Sequence, residues 1–142
     1  LRFNVRPATP ADEAWAQAAI AAAVAAVAAA HDVTIALDGR FARPPKPMDT
    51  NQSRLFELVR DCGAALELDV GWRDTGGVCD GNNLAATGLA VVDTLGPRGG
   101  AIHSADEYLL VDSLVERARL SALVLMRLAQ HGWARSSPGT PS

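Results

Sequence analysis

Gly76-Gly77-Val78-Cys79-Asp80-Gly81-Asn82-Asn83, then Ala90-Val91-Val92-Asp93-Thr94-Leu95, then Gly99-Gly100-Ala101-Ile102-His103-Ser104-Ala105-Asp106-Glu107-Tyr108 form the stretch that decides the fold. Two glycine-rich turns flank a short helical segment and one apolar strand. Asp80 stands where an N-cap belongs for a helix over 81–87, and Gly88 suits its C′ position. Residues 90–95 are nearly all apolar, the composition of a strand buried on both faces. Glycine lets a backbone approach a ligand closely. In α/β proteins, sites sit just beyond the carboxyl ends of buried strands. His103, followed within four residues by Asp106 and Glu107, is therefore the first candidate for chemistry.

Working outward, Phe3 and Val5 alternate with Asn4 and Arg6, which predicts a strand ending at Pro7. Thr9 suits an N-cap, Pro10 the first helical position, and Asp12 and Glu13 the positive end of the helix dipole. The helix is expected over 10–30, with Ile20, Val24 and Val27 as one apolar stripe. A second strand follows over 33–37, closed by Asp38-Gly39, so that residues 1–39 read as a β-α-β unit. Residues 40–49 hold Pro44, Pro45 and Pro47 without periodicity and read as a linker. Thr50 is expected to cap a helix with Leu55, Val59, Cys62 and Leu66 on one face, followed by a strand over 69–73.

Asp112 or Ser113 is expected to cap the last helix, with Glu116 completing a capping box. Its apolar positions, Leu114, Ala118, Leu120, Leu123, Val124, Leu125 and Leu128, wrap most of the circumference and predict packing between layers. The fold class is α/β in both parts. The expected organisation is 1–39, a linker at 40–49, a second part at 50–130 and a flexible tail at 131–142.

A length of 142 residues is that of one ordinary domain, and 49% hydrophobic against 20% charged residues permits a packed core. A net charge of −3 without a basic run gives no electrostatic case for nucleic acid or an anionic membrane. Cys62 and Cys79 make no disulfide framework and read as free thiols of a reducing, cytoplasmic compartment. Residues 14–30 carry no charge, but they are mostly alanine, include Gln17 and only reach the ~17-residue lower limit for a bilayer span. A soluble helix is the expectation. The opening Leu-Arg-Phe-Asn-Val-Arg has no initiator Met or signal layout and reads like the middle of a strand.

Among single residues, neutral imidazole is the commonest metal ligand and needs a carboxylate or carbonyl to fix its tautomer. Asp106 and Glu107 fit that task for His103, or a helix start; the plainer alternative is a loop histidine without a role. Arg6 is either a solvated charge or a bidentate clamp for a substrate carboxylate. Asp80 is a cap, which also positions whatever lies beside it. Cys79 lies near a helix N-terminus, where a thiol is activated, but a thiol nucleophile needs a base, and the histidines are His31, His103 and His131. There is no phosphate-cradling loop, Cys-x-x-Cys, His-Glu-x-x-His or Gly-x-Ser-x-Gly. The Gly76-Gly77 turn lacks the Lys-Ser/Thr ending of a phosphate loop.

Taken together, three stretches resemble the C-terminal part of the dinuclear-zinc metallopeptidase and aminoacylase family: Arg73-Asp74-Thr75-Gly76-Gly77-Val78-Cys79-Asp80-Gly81-Asn82, Val91-Val92-Asp93-Thr94-Leu95-Gly96 and Gly99 to Tyr108. That family includes bacterial glutamate carboxypeptidase, aminoacylase, acetylornithine deacetylase and succinyl-diaminopimelate desuccinylase. The resemblance covers nearly the whole chain, from Leu1 to about Leu128. It implies a catalytic α/β domain with two zinc ions and a smaller inserted lid that often dimerises. Residues 1–39 would be the second half of the lid and 40–49 the return to the catalytic domain.

By this resemblance His103 is the last zinc ligand and Arg6 contacts the substrate carboxylate. Gly76 and Gly77 line the substrate pocket, and Asp80 caps the helix behind them. The implied reaction is hydrolysis of an amide bond of a peptide or N-acyl amino acid by a zinc-bridging water, with a glutamate as base. The implied partners are a peptide or small-molecule substrate bearing a carboxylate and a second copy through the lid.

The family's remaining ligands, a His-x-Asp motif, a bridging aspartate, a Glu-Glu pair and a further carboxylate, lie earlier in its chain, and this sequence has neither His-x-Asp nor Glu-Glu. Catalytic zinc uses about three protein ligands per metal. The expectation is a C-terminal piece that is inactive alone, with no catalytic residue of its own. The alternatives are a non-catalytic ligand- or partner-binding module of the same fold without metal, and a dimerisation unit built on the alanine-rich helix.

Overall fold

Helix α1 spans Pro10–His31. Thr9 Oγ1 accepts the Asp12 N–H at 3.1 Å while the Asp12 carboxylate accepts the Thr9 N–H at 3.0 Å, so two donors that the helix leaves free are satisfied reciprocally. At the other end Asp32, at φ 50°, turns the chain out through a left-handed cap. Alanine dominates all faces of α1. Ala16 is its buried residue, Ile20 and Val24 are half-buried, and Trp15 and Val27 are exposed. By length and composition α1 is able to cross a membrane, two properties that do not separate a spanning helix from a soluble one.

The computed structural model describes residues 1–133, which group into two units. The first comprises Leu1–Pro47 and Asp74–Leu89; the second comprises Met48–Arg73 and the chain from Ala90. The chain passes from the first to the second inside the expected proline-rich linker, and residues 74–89 group with the first unit. The expected tail beyond residue 133 lies outside the described residues.

In the first unit the expected strands over 3–6 and 33–37 have no ladder partner among the described residues, and Val33, Ile35 and Leu37 are exposed. A strand's backbone groups are satisfied only by a neighbouring strand or by water. The apolar alternation is present in the sequence, but nothing among the described residues covers it. The unit also holds α3, Asp80–Ala85.

In the second unit α2, Thr50–Ala64, packs on α4, Ser113–His131. Between them lie β1, Gly99–Gly100, and β2, Tyr108–Leu109, paired antiparallel with Gly99 opposite Leu109 and Gly100 opposite Tyr108. Among the described residues these two strands make the only sheet. The core joins Val59 and Cys62 of α2 to Leu120 and Val124 of α4, with Leu66, Val70, Val92 and Leu123 packed around them. Of the expected stripe on α2, Val59 and Cys62 are its buried members.

Three local expectations differ from what is found. The cap of α2 is Asp49, whose carboxylate accepts the Gln52 N–H at 2.7 Å, and not Thr50. Helix α4 has no side-chain cap. Ser113 Oγ instead accepts the Arg98 N–H at 2.8 Å and donates to the Leu110 carbonyl at 2.6 Å, and Glu116 pairs with Arg98 at 3.2 Å. Both members of the expected capping box therefore serve the base of the hairpin. Leu114 and Leu125 are exposed, so α4 packs through one face among the described residues.

The segment 90–95 meets α2 through a side chain instead of a ladder. Gln52, buried at 4% exposure, donates from Nε2 to the Val91 carbonyl and accepts the Val91 N–H at 3.0 Å. A glutamine amide has the same donor–acceptor pair as a peptide group, so it substitutes for a neighbouring strand at that residue.

The two thiols provide a check on this packing. Burial pushes the Cys62 thiol up from its ordinary value, opposed in part by the Arg127 guanidinium, whereas Cys79 is exposed. The thiolate is the reactive form. Iodoacetamide is therefore expected to label Cys79 in the native chain and Cys62 only as the chain unfolds, as read by mass spectrometry. Equal labelling rates would mean that α2 and α4 do not enclose Cys62.

Candidate functional site

In the first unit the structure brings Arg6 to the diglycine turn. Arg6 Nη1 donates to the Gly76 carbonyl, across a separation of 70 residues. Neither Gly76 nor Gly77 is among the positive-φ residues. A Cβ on Gly76 would lie 3.4 Å from Arg6 Cδ, and one on Gly77 3.1 Å from Thr75 Oγ1. That hydroxyl already accepts the Gly77 N–H at 2.8 Å. Arg6, Gly76 and Gly77 are all exposed and open to a ligand.

Asp80 does not cap α3. The cap is Cys79, whose Sγ accepts the Gly81 N–H at 3.3 Å, and Asp80 is the first helical residue. Its carboxylate pairs with Arg43 at 3.0 Å. With Asp80 at 87% side-chain exposure, such a pair contributes at most about 1 kcal/mol.

The residue that sequence reasoning missed is Asn82. It is 6% exposed, donates from Nδ2 to the Pro44 carbonyl at 3.0 Å and accepts the Cys79 N–H on Oδ1 at 3.1 Å. The signal was present, because Cys79 and Asn82 have the spacing of a capping box. Cysteine in place of serine or threonine concealed it.

In the second unit His103 lies in the loop of the β1–β2 hairpin, exposed, with φ 67°. Histidine is among the few non-glycine types enriched in that left-handed region. The loop is held by its own polar groups. Ser104 Oγ donates to the Ala101 carbonyl at 2.7 Å and accepts the Asp106 N–H at 3.1 Å. Glu107 accepts the His103 N–H at 3.3 Å, so it restrains the backbone of His103 and does not orient the ring. The imidazole itself makes no hydrogen bond or ion pair to a described residue. Asp106 and Glu107 belong to this loop and do not start a helix.

Gly99 and Gly100 make room for Tyr108 and not for His103. A Cβ on Gly99 would collide with the Tyr108 carbonyl oxygen, and one on Gly100 would lie 2.7–2.9 Å from the Tyr108 ring.

Among the described residues no three of His, Cys, Asp and Glu gather closely enough to hold a metal ion. A zinc site needs about three such ligands, and His103 alone does not make one. The described residues do not by themselves fit a zinc centre. Searches against protein-family models, curated proteins and solved structures return no match to the chain.

Proposed function

We propose that this chain is the C-terminal part of a zinc-dependent amidohydrolase or exopeptidase that cleaves an amide bond of a peptide or N-acyl amino acid. The observation that supports this reading is the bond from Arg6 to the Gly76 carbonyl. The resemblance has Arg6 contact the substrate carboxylate and the diglycine turn line the substrate pocket, and the two meet although they are far apart in sequence. A guanidinium has five N–H donors in a planar fork. One on Gly76 fixes the head group and leaves enough for a bidentate carboxylate, the pairing arginine makes best.

In this reading His103 contributes one zinc ligand, and the other ligands and the general-base glutamate come from sequence ahead of residue 1. The unpaired, strand-patterned segments 3–6 and 33–37 would find ladder partners in such upstream sequence or in a second copy of the lid. When bound, the zinc pair would supply an activated water.

The test is zinc-dependent release of amino acid from N-acyl amino acids and dipeptides by the longer protein, with the isolated 142-residue chain inactive. Turnover by the isolated chain would refute the fragment reading. A longer protein without the upstream ligands, or one without turnover, would favour the non-catalytic module.

Within an active enzyme, Arg6→Ala is expected to raise KM for carboxylate-bearing substrates about 10–100-fold with kcat little changed. Hydrogen bonds to a charged group contribute about 1.5–3 kcal/mol, and a loss of binding common to ground and transition states appears in KM. Arg6→Lys should recover only part, since an ammonium cannot pair bidentately.

A further inference from the structure

We propose that Asn82 is a positioning residue for the diglycine turn that holds Arg6, an inference that rests on the function proposed above. Its side chain is the one buried amide in the first unit among the described residues, and both of its ends are in use. Nδ2 holds the Pro44 carbonyl, 38 residues away, and Oδ1 holds the Cys79 N–H. The diglycine turn is thereby secured at two ends. Thr75 and Arg6 hold the side before α3, through the Gly77 N–H and the Gly76 carbonyl. Asn82 holds the other side at Cys79, whose extended backbone at φ −145° leads from the turn into α3.

The neighbouring Arg43–Asp80 pair ties the same two segments together but lies at the surface, at 40% and 87% side-chain exposure, where solvent screening leaves it weak. A buried amide with both ends satisfied is the stronger tie, because losing it also strands the Pro44 carbonyl and the Cys79 N–H. Asn82 touches no reacting atom. It acts through the turn, and the turn acts by presenting the Gly76 carbonyl that orients Arg6.

The variants Asn82→Ala and Asn82→Asp separate the two bonds, since aspartate keeps an acceptor for Cys79 and loses the donor to Pro44. By NMR amide exchange on the 142-residue chain, Asn82→Ala is expected to speed exchange at Gly77 as well as Cys79, with α2 and α4 unaffected. Asn82→Asp, which sets a buried carboxylate against the Pro44 carbonyl, should not restore the wild-type rate at Gly77.

In the longer enzyme, Asn82→Ala should raise KM about 10–100-fold with kcat within about threefold, the size of effect a misplaced binding group produces. Unchanged exchange at Gly77 overturns the inference whatever the activity of the wild type. So does an unchanged KM in an enzyme that turns over. A wild type without zinc-dependent hydrolysis refutes the function proposed above, and the exchange result then decides by itself whether Asn82 holds the turn.

Discussion

Replacing Leu120 by alanine is expected to cost about 3–5 kcal/mol of the stability of the second unit, and Leu125→Ala less than about 0.5 kcal/mol. The two leucines are five positions apart on α4, and their exposures are 0% and 66%. Leu120 is fully enclosed with Val59, Cys62 and Val124, so truncation removes its transfer energy and leaves a cavity whose walls lose their dispersion contacts. The effect is large against the total. A whole domain is stable by about 5–15 kcal/mol, and among the described residues the buried cluster joining α2 to α4 contains these four residues. Urea unfolding followed by far-UV circular dichroism measures both variants. Equal midpoints would mean that α4 does not dock through its Leu120 face.

The helices were readable from sequence and the strands were not, for one physical reason. A helix satisfies its backbone within itself, so the cap at Thr9 and the stripe at Val59 and Cys62 carry the signal locally, although the apolar positions of α4 were read as wrapping its circumference and Leu114 and Leu125 are exposed. A strand is completed by a segment elsewhere. Residues 33–37 alternate as a strand should, yet no described segment pairs with them, and Val91 is satisfied by the Gln52 side chain.

The caps show a finer limit. Asp49 and Thr50 are adjacent and both suit the role, and composition does not say which will accept the Gln52 N–H. Ser113 and Glu116 have capping-box spacing but are taken by Arg98 and Leu110, contacts that exist only once the hairpin is folded.

The same division holds for the candidate site. His103 stood out because glycines and carboxylates surround it in sequence, but its neighbours do other work. Gly99 and Gly100 admit Tyr108, and Glu107 binds a backbone amide. The meeting of Arg6 with Gly76 could not be read from spacing, since 70 residues separate them; the family resemblance gave each a place in a substrate site but no contact between them. Asn82 went unnoticed because a short amide gains its meaning from carbonyls brought to it by the fold.

His103→Ala in the longer protein is expected to abolish zinc retention and to lower turnover by more than the ~10–100-fold that accompanies loss of a group merely supporting a ligand. What makes the experiment decisive is that the fold has little stake in this ring. His103 is exposed and its imidazole has no described partner. Its φ of 67° places it where a side chain costs about 1 kcal/mol relative to glycine. His103→Gly should accordingly leave the 142-residue chain as stable or slightly more stable in thermal melts. The task proposed for this side chain is zinc ligation. Metal analysis and kinetics of the longer protein then address that task without interference from unfolding. A zinc-replete, fully active His103→Ala enzyme would remove His103 from the ligand set and leave Arg6 and the diglycine turn as a binding site without the chemistry assigned to it.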